Sequence, residues 1–170
     1  MNTSKNCSNI SKIKCDNVTS EDPIDIAETF NTYFSSIGKN LAQKISPANK
    51  QFSEFLGVSN PNSIFFVPTH RNEIIKIVSS LDNNKSPGHD CIGNYLLKNI
   101  ISYVVDPLVH IVNLSLTSGL VPSNMKIAKV IPIFKKGDKC DVSNYRPISL
   151  LTTISKILER IIYIRTANFF

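Results

Sequence analysis

The chain has 170 residues, of which 42% are hydrophobic and 19% are charged, and its formal net charge is +6. This composition excludes a largely disordered protein and favours one packed domain or part of a larger one. The surplus charge lies entirely in residues 85–170, which hold 11 Lys and Arg against 5 Asp and Glu. A local excess of this kind either attracts polyanions or is simply a solvated basic face.

No apolar run reaches the roughly 18 residues that a membrane span needs. The polar N-terminus lacks the apolar core of a secretion signal, so we expect an intracellular protein without a membrane partner. Cys7, Cys15, Cys91 and Cys140 are most simply free thiols, because their spacings fit no zinc pattern. The sequence therefore predicts no metal site and no cofactor in this chain.

The first 68 residues divide into a tail, a helix and a loop. Residues 1–20 are polar, which is typical of a disordered tail or the remnant of a linker. Residues 21–45 predict an amphipathic helix with Pro23 near its start. Its apolar stripe, which most simply faces a core, consists of Ala27, Phe30, Phe34, Ile37, Leu41 and Ile45. Residues 47–68, which are punctuated by Pro and Asn, predict a loop.

Three helical patterns follow. Thr69 is expected to cap a short helix that carries Ile74, Ile77 and Val78 on its apolar face. Asp90 precedes a second helical pattern. Asp106 followed by proline predicts the start of a third helix, which Gly119 ends.

The periodicity then changes from helix to strand. Residues 127–134 are branched and apolar and predict a strand, which Pro132 places at an edge or at a bulge. A polar loop leads to a second extended stretch over residues 145–150. Thr152 or Thr153 then caps a last helix. The predicted fold is α+β, mostly helical, with one antiparallel β-hairpin.

The candidate binding site is the tip of this hairpin. Lys135, Lys136 and Lys139 flank Gly137, and Arg146 begins the return strand. Antiparallel pairing would bring the arginine opposite the lysines, and these cations repel one another unless an anion lies between them. A triphosphate or a nucleic-acid backbone suits this position. The alternative is that these are solvated turn lysines and that the arginine caps carbonyl groups.

The loop KSPGHD, residues 85–90, is a weaker candidate. Gly88 permits close approach of a backbone and Lys85 could contact phosphate, although the spacing is not that of a P-loop. The alternative is an ordinary loop with Asp90 as a helix cap. No acids stand out as a catalytic or metal-binding set, because Asp138 and Asp141 lie among lysines whose charge they balance.

Three stretches in order, LDNNKSPGHDCIGNYLLK, SGLVPSNMKIAKVIPIFKKGDK and NYRPISLLTTISKILERII, resemble reverse transcriptases of jockey-like non-LTR retrotransposons. The likeness covers roughly residues 70–165, and the upstream stretch IAETFNTYFSSIGKNLA resembles the connector of such elements. It implies a partial right-hand polymerase. Residues 21–68 would be connector, and residues 69–170 would be the fingers and the start of the palm, truncated at the C-terminus. Such sequences usually have glycine after Asp90, where this chain has Cys91.

The resemblance also implies a site. In that family a lysine and an arginine of the fingers hairpin contact the triphosphate of the incoming nucleotide. Motif matching assigns the arginine to Arg146 and the lysine to Lys135 or Lys136. Weaker template or primer contacts are implied for Lys85, Gly88, Asp90 and Lys139.

The implied partners are an RNA template, a DNA primer, a deoxynucleotide triphosphate, and the absent palm, thumb and endonuclease regions. The full-length enzyme would use Mg²⁺. Because the family's catalytic aspartates would follow Phe170, we expect the chain alone to be inactive and to contribute no catalytic residue.

Two other functions are compatible with the sequence. The positive second half would suit a non-enzymatic module that binds nucleic acid. An inert, decayed remnant is the other, because the apolar stripe of residues 154–162 would lose its palm partners and stay exposed.

Overall fold

The computed structural model describes residues 10–15, 18–57 and 63–169. Within these ranges it contains four α-helices and two two-stranded sheets. In chain order the elements are β1 (Ile13–Cys15), β2 (Val18–Ser20), α1 (Pro23–Ala42), α2 (Arg71–Ser80), α3 (Asn94–Ser118), β3 (Ala128–Phe134), β4 (Tyr145–Leu151) and α4 (Thr153–Ala167). The mixed α and β composition and the β3–β4 hairpin are confirmed, whereas the single β-hairpin that the sequence predicted is joined by a second two-stranded sheet, β1–β2.

The chain forms two compact units. Unit 1 comprises Met1–Gly57 and Ile131–Ile148, and unit 2 comprises Val58–Val130 and Ser149–Phe170. The tip of the β3–β4 hairpin therefore belongs to unit 1 and its root to unit 2. These units group residues by contact, and they differ from the segments 1–20, 21–68 and 69–170 that the sequence suggested.

Unit 1 has a small core in which α1 packs against β1 and the hairpin tip. Its buried residues are Ile13, Ile26, Phe30, Val142 and Tyr145. The α1 helix begins as predicted, because the Asp22 carboxylate accepts a hydrogen bond from the Ile24 N–H at 2.8 Å. The prediction of a core-facing stripe holds for Phe30, which is buried, and for Phe34, which packs against the core. It is wrong for the four exposed members of the stripe, Ala27, Ile37, Leu41 and Ile45.

The N-terminal tail is more ordered than expected. Ile13 is fully buried, and β1 pairs with β2 in antiparallel fashion with Ile13 opposite Ser20. Residues 13–15 and 18–20 thus form paired strands where the sequence suggested a disordered tail or the remnant of a linker, because Ile13 is buried in the core among polar neighbours. Residues 1–9 and 16–17 lie outside the described residues.

Unit 2 is a three-helix core. Val78 of α2, Val105 of α3 and Ile161 of α4 are each fully buried at its centre. Ile157 and Leu158 are also buried there, at 1% and 3% exposure. The expectation that the stripe of α4 would stay exposed is wrong, because α2 and α3 already cover it.

One long helix replaces two predicted ones. The α3 helix runs through Pro107, although a proline there removes one backbone hydrogen bond. Val105 and Leu108 are both buried, so a continuous apolar face holds the helix together across the proline. Asp106, which was predicted to cap a new helix, instead forms an ion pair with Arg71 of α2. Gly119 ends α3 as predicted, with a φ of 71° in the left-handed region.

The length and composition of α3 would also allow it to span a membrane. Its residues Leu97, Val105, Leu108 and Val112 are buried in the core of unit 2. A helix that packs one face against neighbouring helices in this way is what a protein core requires.

The structure identifies the N-caps of α2 and α4. The α2 cap lies one residue after the predicted Thr69, and the α4 cap is one of the two predicted threonines. The cap of α2 is His70, whose Nδ1 accepts from the Glu73 N–H at 3.2 Å, whereas the Thr69 hydroxyl donates to the Glu73 carboxylate at 2.7 Å. The cap of α4 is Thr152, which accepts from the Ser155 N–H at 3.1 Å. The hydroxyl of Thr153 is buried instead, 2.9 Å from the Ile92 carbonyl oxygen.

Candidate nucleic-acid interface

The pairing at the hairpin tip determines which face each cation occupies. The Lys135 N–H donates to the Asn144 carbonyl at 2.9 Å, and the rings of Phe134 and Tyr145 meet at 5.6 Å between centroids. Both rings point into the core of unit 1. Successive residues of a strand alternate between faces, so we assign Arg146 and Lys135, which directly follows β3, to the opposite, outer face. They are diagonal neighbours across the strand pair, and Cα atoms at such positions are typically about 7–8 Å apart.

The other two lysines occupy the turn. Lys136 precedes Gly137, whose φ of 93° is in the left-handed region that favours glycine. The Lys139 ammonium lies 5.8 Å from the centroid of the Phe134 ring, a cation–π arrangement on the aromatic side of the hairpin. All three lysines and Arg146 are exposed to solvent. The strand pairing therefore assigns Arg146 and Lys135 to the same face of the hairpin. Lys139 lies on the other side, near Phe134.

The two acids of the loop stabilise its backbone. Asp138 accepts a hydrogen bond from the Cys140 N–H at 2.9 Å. Asp141 accepts from the N–H and the hydroxyl of Ser143, at 2.8 and 2.7 Å, and these bonds lower the pKa of its carboxyl group. Both carboxylates thus close turns of the loop that displays the lysines.

The KSPGHD loop is packed tightly against the start of α4. Gly88 is buried, and a Cβ atom there would lie 2.7 Å from the Thr152 nitrogen and 2.8 Å from the Leu151 carbonyl carbon. The close approach that glycine permits is therefore to the protein's own backbone. Lys85 remains exposed in the same loop. Asp90 does not cap α3, whose N-cap is Gly93. The Asp90 carboxylate accepts from the Ile92 N–H at 3.2 Å.

Buried polar side chains fix this loop, and the sequence reading did not identify them. The Asn94 amide donates to the Asp82 carbonyl at 2.7 Å, and its oxygen lies 3.0 Å from the Thr153 hydroxyl. Asn94 and Thr153 are 3% and 0% exposed. The sequence offered one signal for this contact, an asparagine at the start of an apolar helical pattern. A buried amide needs hydrogen-bond partners, so such an asparagine indicates a nearby polar contact.

Cys91 stands where the resembling family usually has glycine, and its φ is 59°. A side chain in the left-handed region is strained by roughly 1–2 kcal/mol, so the family glycine matches the backbone that this loop adopts. We expect Cys91→Gly to raise the free energy of unfolding by about 1 kcal/mol relative to Cys91→Ala, which retains Cβ but not the sulfur. Chemical denaturation of the two variants measures this difference, and an equal or lower stability of the glycine variant would refute the strain.

The described residues do not fit a catalytic metal pair. Residues 10–15, 18–57 and 63–169 bring together no group of three or more His, Cys, Asp or Glu side chains that could hold a metal ion. The two Mg²⁺ ions of phosphoryl transfer need such carboxylates. Cys91 and Cys140 carry free thiols, and Cys7 lies outside the described residues.

No family model matches the chain. Individual relatives do match it. The chain is 31% identical to the RNA-directed DNA polymerase from mobile element jockey of Drosophila melanogaster, over 72% of its own length and 14% of the relative's. It is 30% identical to the probable RNA-directed DNA polymerase from transposon X-element of the same species, over 74% and 14%. It is 36% identical to the jockey polymerase of Drosophila funebris, over 56% and 10%.

The chain thus spans no more than about one seventh of these curated relatives. The matches include the family named from the ordered sequence motifs, and they confirm that resemblance. This polypeptide belongs to the family of RNA-directed DNA polymerases of jockey-like non-LTR retrotransposons, of which it represents one segment.

Proposed function

We propose that this segment is the nucleotide- and template-binding fingers part of a non-LTR retrotransposon reverse transcriptase, and that it does not polymerise alone. Residues 69–170 would be the fingers and the beginning of a right-hand palm, and residues 21–68 the connector. The observation that carries the proposal is the placement of Lys135 and Arg146 on one exposed face of the hairpin. Among the described residues, neither cation takes part in an ion pair.

Two unpaired cations on one face of a strand pair form an anion site. The guanidinium of Arg146 offers a planar fork of donors to phosphate oxygens, and the Lys135 ammonium adds a compact charge. Phosphoryl transfer depends mainly on such positioning and electrostatic stabilisation. A triphosphate fits this chemistry, and the cations would offset the negative charge that develops as it reacts.

Template and primer contacts are assigned more broadly. Lys85 of the KSPGHD loop and Lys139 of the turn are exposed, so they are available to a nucleic-acid backbone. The relatives are named as RNA-directed DNA polymerases, which implies an RNA template, a DNA primer and deoxynucleotide substrates. Mg²⁺ would be held by carboxylates of other regions of the full-length enzyme.

The excess positive charge of residues 85–170 also favours a second candidate, a non-enzymatic module that binds nucleic acid. Competition distinguishes the two functions. A fingers hairpin that binds triphosphate should bind a fluorescent deoxynucleotide triphosphate, which unlabelled nucleotide should displace. A module that recognises only nucleic-acid backbones along an extended surface should bind labelled primed RNA, which unlabelled RNA should displace and millimolar nucleotide should not.

We expect Arg146→Ala to weaken binding of a fluorescent deoxynucleotide triphosphate by about tenfold, because one charge-assisted contact is lost. Fluorescence anisotropy of the purified chain measures the affinity. Lys44→Ala, which removes an exposed positive charge of unit 1 outside the hairpin, is the matched control and should change affinity by less than twofold. If both variants lose affinity equally, the hairpin contributes only its general charge.

A further inference from the structure

We propose that Asn144 is a positioning residue that holds the lysine-bearing turn so that Lys135 faces the same anion as Arg146. This inference rests on the proposed function of the hairpin, because it concerns the geometry of that same site. It assigns no contact between Asn144 and the anion.

Asn144 makes hydrogen bonds to three separate points of the turn. Its carbonyl oxygen accepts from the Lys135 N–H at 2.9 Å, and its own N–H donates to the Asp141 carbonyl at 3.1 Å. Its side-chain amide donates to the Asp138 carbonyl at 3.0 Å. One residue therefore ties together the beginning, the middle and the end of the loop.

The Asn144 side chain also fills the space that a glycine leaves. A Cβ atom on Gly137 would lie 2.7 Å from the amide nitrogen of Asn144 and 2.9 Å from its Cγ and Oδ1. The φ of 93° favours glycine at position 137, and a Cβ atom there would also force the Asn144 amide to move. The amide packs against the turn at Gly137, and Asn144 lies two residues before Arg146, directly ahead of β4.

The neighbouring residue anchors this arrangement in the core. The Tyr145 hydroxyl donates to the Lys139 carbonyl at 2.7 Å. Its ring contacts Phe30 of α1 edge-on, with 5.0 Å between centroids. Asn144 and Tyr145 together connect the loop to the buried part of unit 1.

The physical consequence is a preorganised anion site. Repulsion between Lys135 and Arg146 favours a splayed turn when no anion is present. If hydrogen bonds already hold the turn in place, less conformational entropy is lost when the anion binds. The affinity is higher as a result.

The test is a double-mutant cycle on nucleotide affinity. Asn144→Ala should weaken binding of the fluorescent deoxynucleotide triphosphate about fivefold, although no charge changes. In the Lys135→Ala variant, Asn144→Ala should weaken nucleotide binding by less than twofold, because the lysine that Asn144 positions is no longer present. Thermal unfolding confirms that each variant is folded. Asn144→Gln, whose longer amide does not fit beside Gly137, provides the same measurement if the alanine variant is unfolded.

The outcomes separate this inference from the proposed function. If Arg146→Ala weakens binding but Asn144→Ala costs the same with and without Lys135, the hairpin binds the anion and Asn144 does not position Lys135. If Asn144→Ala has no effect while Arg146→Ala does, the inference is also overturned. If Arg146→Ala leaves affinity unchanged, both the proposed function and the inference fail.

Discussion

Gly88→Ala should lower the free energy of unfolding of unit 2 by about 2–3 kcal/mol. A Cβ atom at this position would lie 2.7–2.8 Å from backbone atoms of Leu151 and Thr152. Backbone atoms cannot rotate away as a side chain can, so the loop or the beginning of α4 must shift. Overpacking of this kind typically costs 1–3 kcal/mol, and the Thr152 cap of α4 lies at the point of collision.

Gly93→Ala is the matched control for this prediction. Gly93 belongs to the same connection before α3, and a Cβ atom there would have no neighbour within 4 Å. The exchange should change stability by less than about 1 kcal/mol, which is the ordinary effect of alanine at a helix N-cap. Urea denaturation followed by circular dichroism measures both variants. Equal losses in the two would show that the close contact at Gly88 is not what requires glycine.

Glu73→Gln should destabilise unit 2 by about 2 kcal/mol at neutral pH. The Arg165 guanidinium donates to both carboxylate oxygens of Glu73, at 2.5 and 2.7 Å, and its Nε donates to the Val67 carbonyl at 3.0 Å. Only 18% of the Glu73 side chain and 13% of the Arg165 side chain are exposed. Removing one partner of a fully buried pair costs about 3–5 kcal/mol, and the residual exposure reduces that figure here.

The pH dependence of this effect has a defined sign. The hydrogen bonds from Arg165 lower the pKa of Glu73, so the folded protein favours the ionised form. The stabilisation is complete above the unfolded value of about 4.3 and is lost as the pH falls through the lower folded value. The difference in unfolding free energy between the wild type and Glu73→Gln should therefore shrink in acid.

Glu159→Gln, at an exposed position on α4, controls for the general loss of a negative charge. The difference in unfolding free energy between Glu159→Gln and the wild type should be close to zero at both pH 7 and pH 3. A Glu73→Gln variant as stable as this control, or a difference that grows in acid, would contradict the role assigned to the Glu73–Arg165 pair.

The sequence predicted the elements that depend on local signals, such as apolar residues at helical spacing or a glycine turn between two apolar stretches. The buried positions Ile74, Val78 and Val112 follow from helical spacing, and the branched residues of β3 followed by a glycine turn predicted the hairpin. These features are local, since each depends on residues within a few positions of one another.

The errors concern contacts between distant residues. Asp106 and Pro107 carry a strong local signal for a helix start, but burial of Val105 and Leu108 on one face overrides it. Ile13 lies in a polar stretch, and only its burial against residues far along the chain shows why it is ordered. Local propensity is a weak guide when tertiary packing opposes it.

The sequence suggested residue types for the candidate site but no arrangement of them. Motif order pointed to Arg146 and to a lysine, yet it did not decide between Lys135 and Lys136. The pairing of Lys135 with Asn144 favours Lys135, because alternation along the strands then gives it the same face as Arg146. Glycine at position 88 predicted close approach of a backbone, and the backbone that approaches it is the protein's own, at Leu151 and Thr152.

The most direct test of the account is titration of a fluorescent deoxynucleotide triphosphate into the wild type and into Arg146→Ala. The wild type should bind it, and Arg146→Ala should bind it about tenfold more weakly, because one charge-assisted phosphate contact is lost. No binding by the wild type, or equal affinities of the two proteins, would contradict the claim that the hairpin binds phosphate.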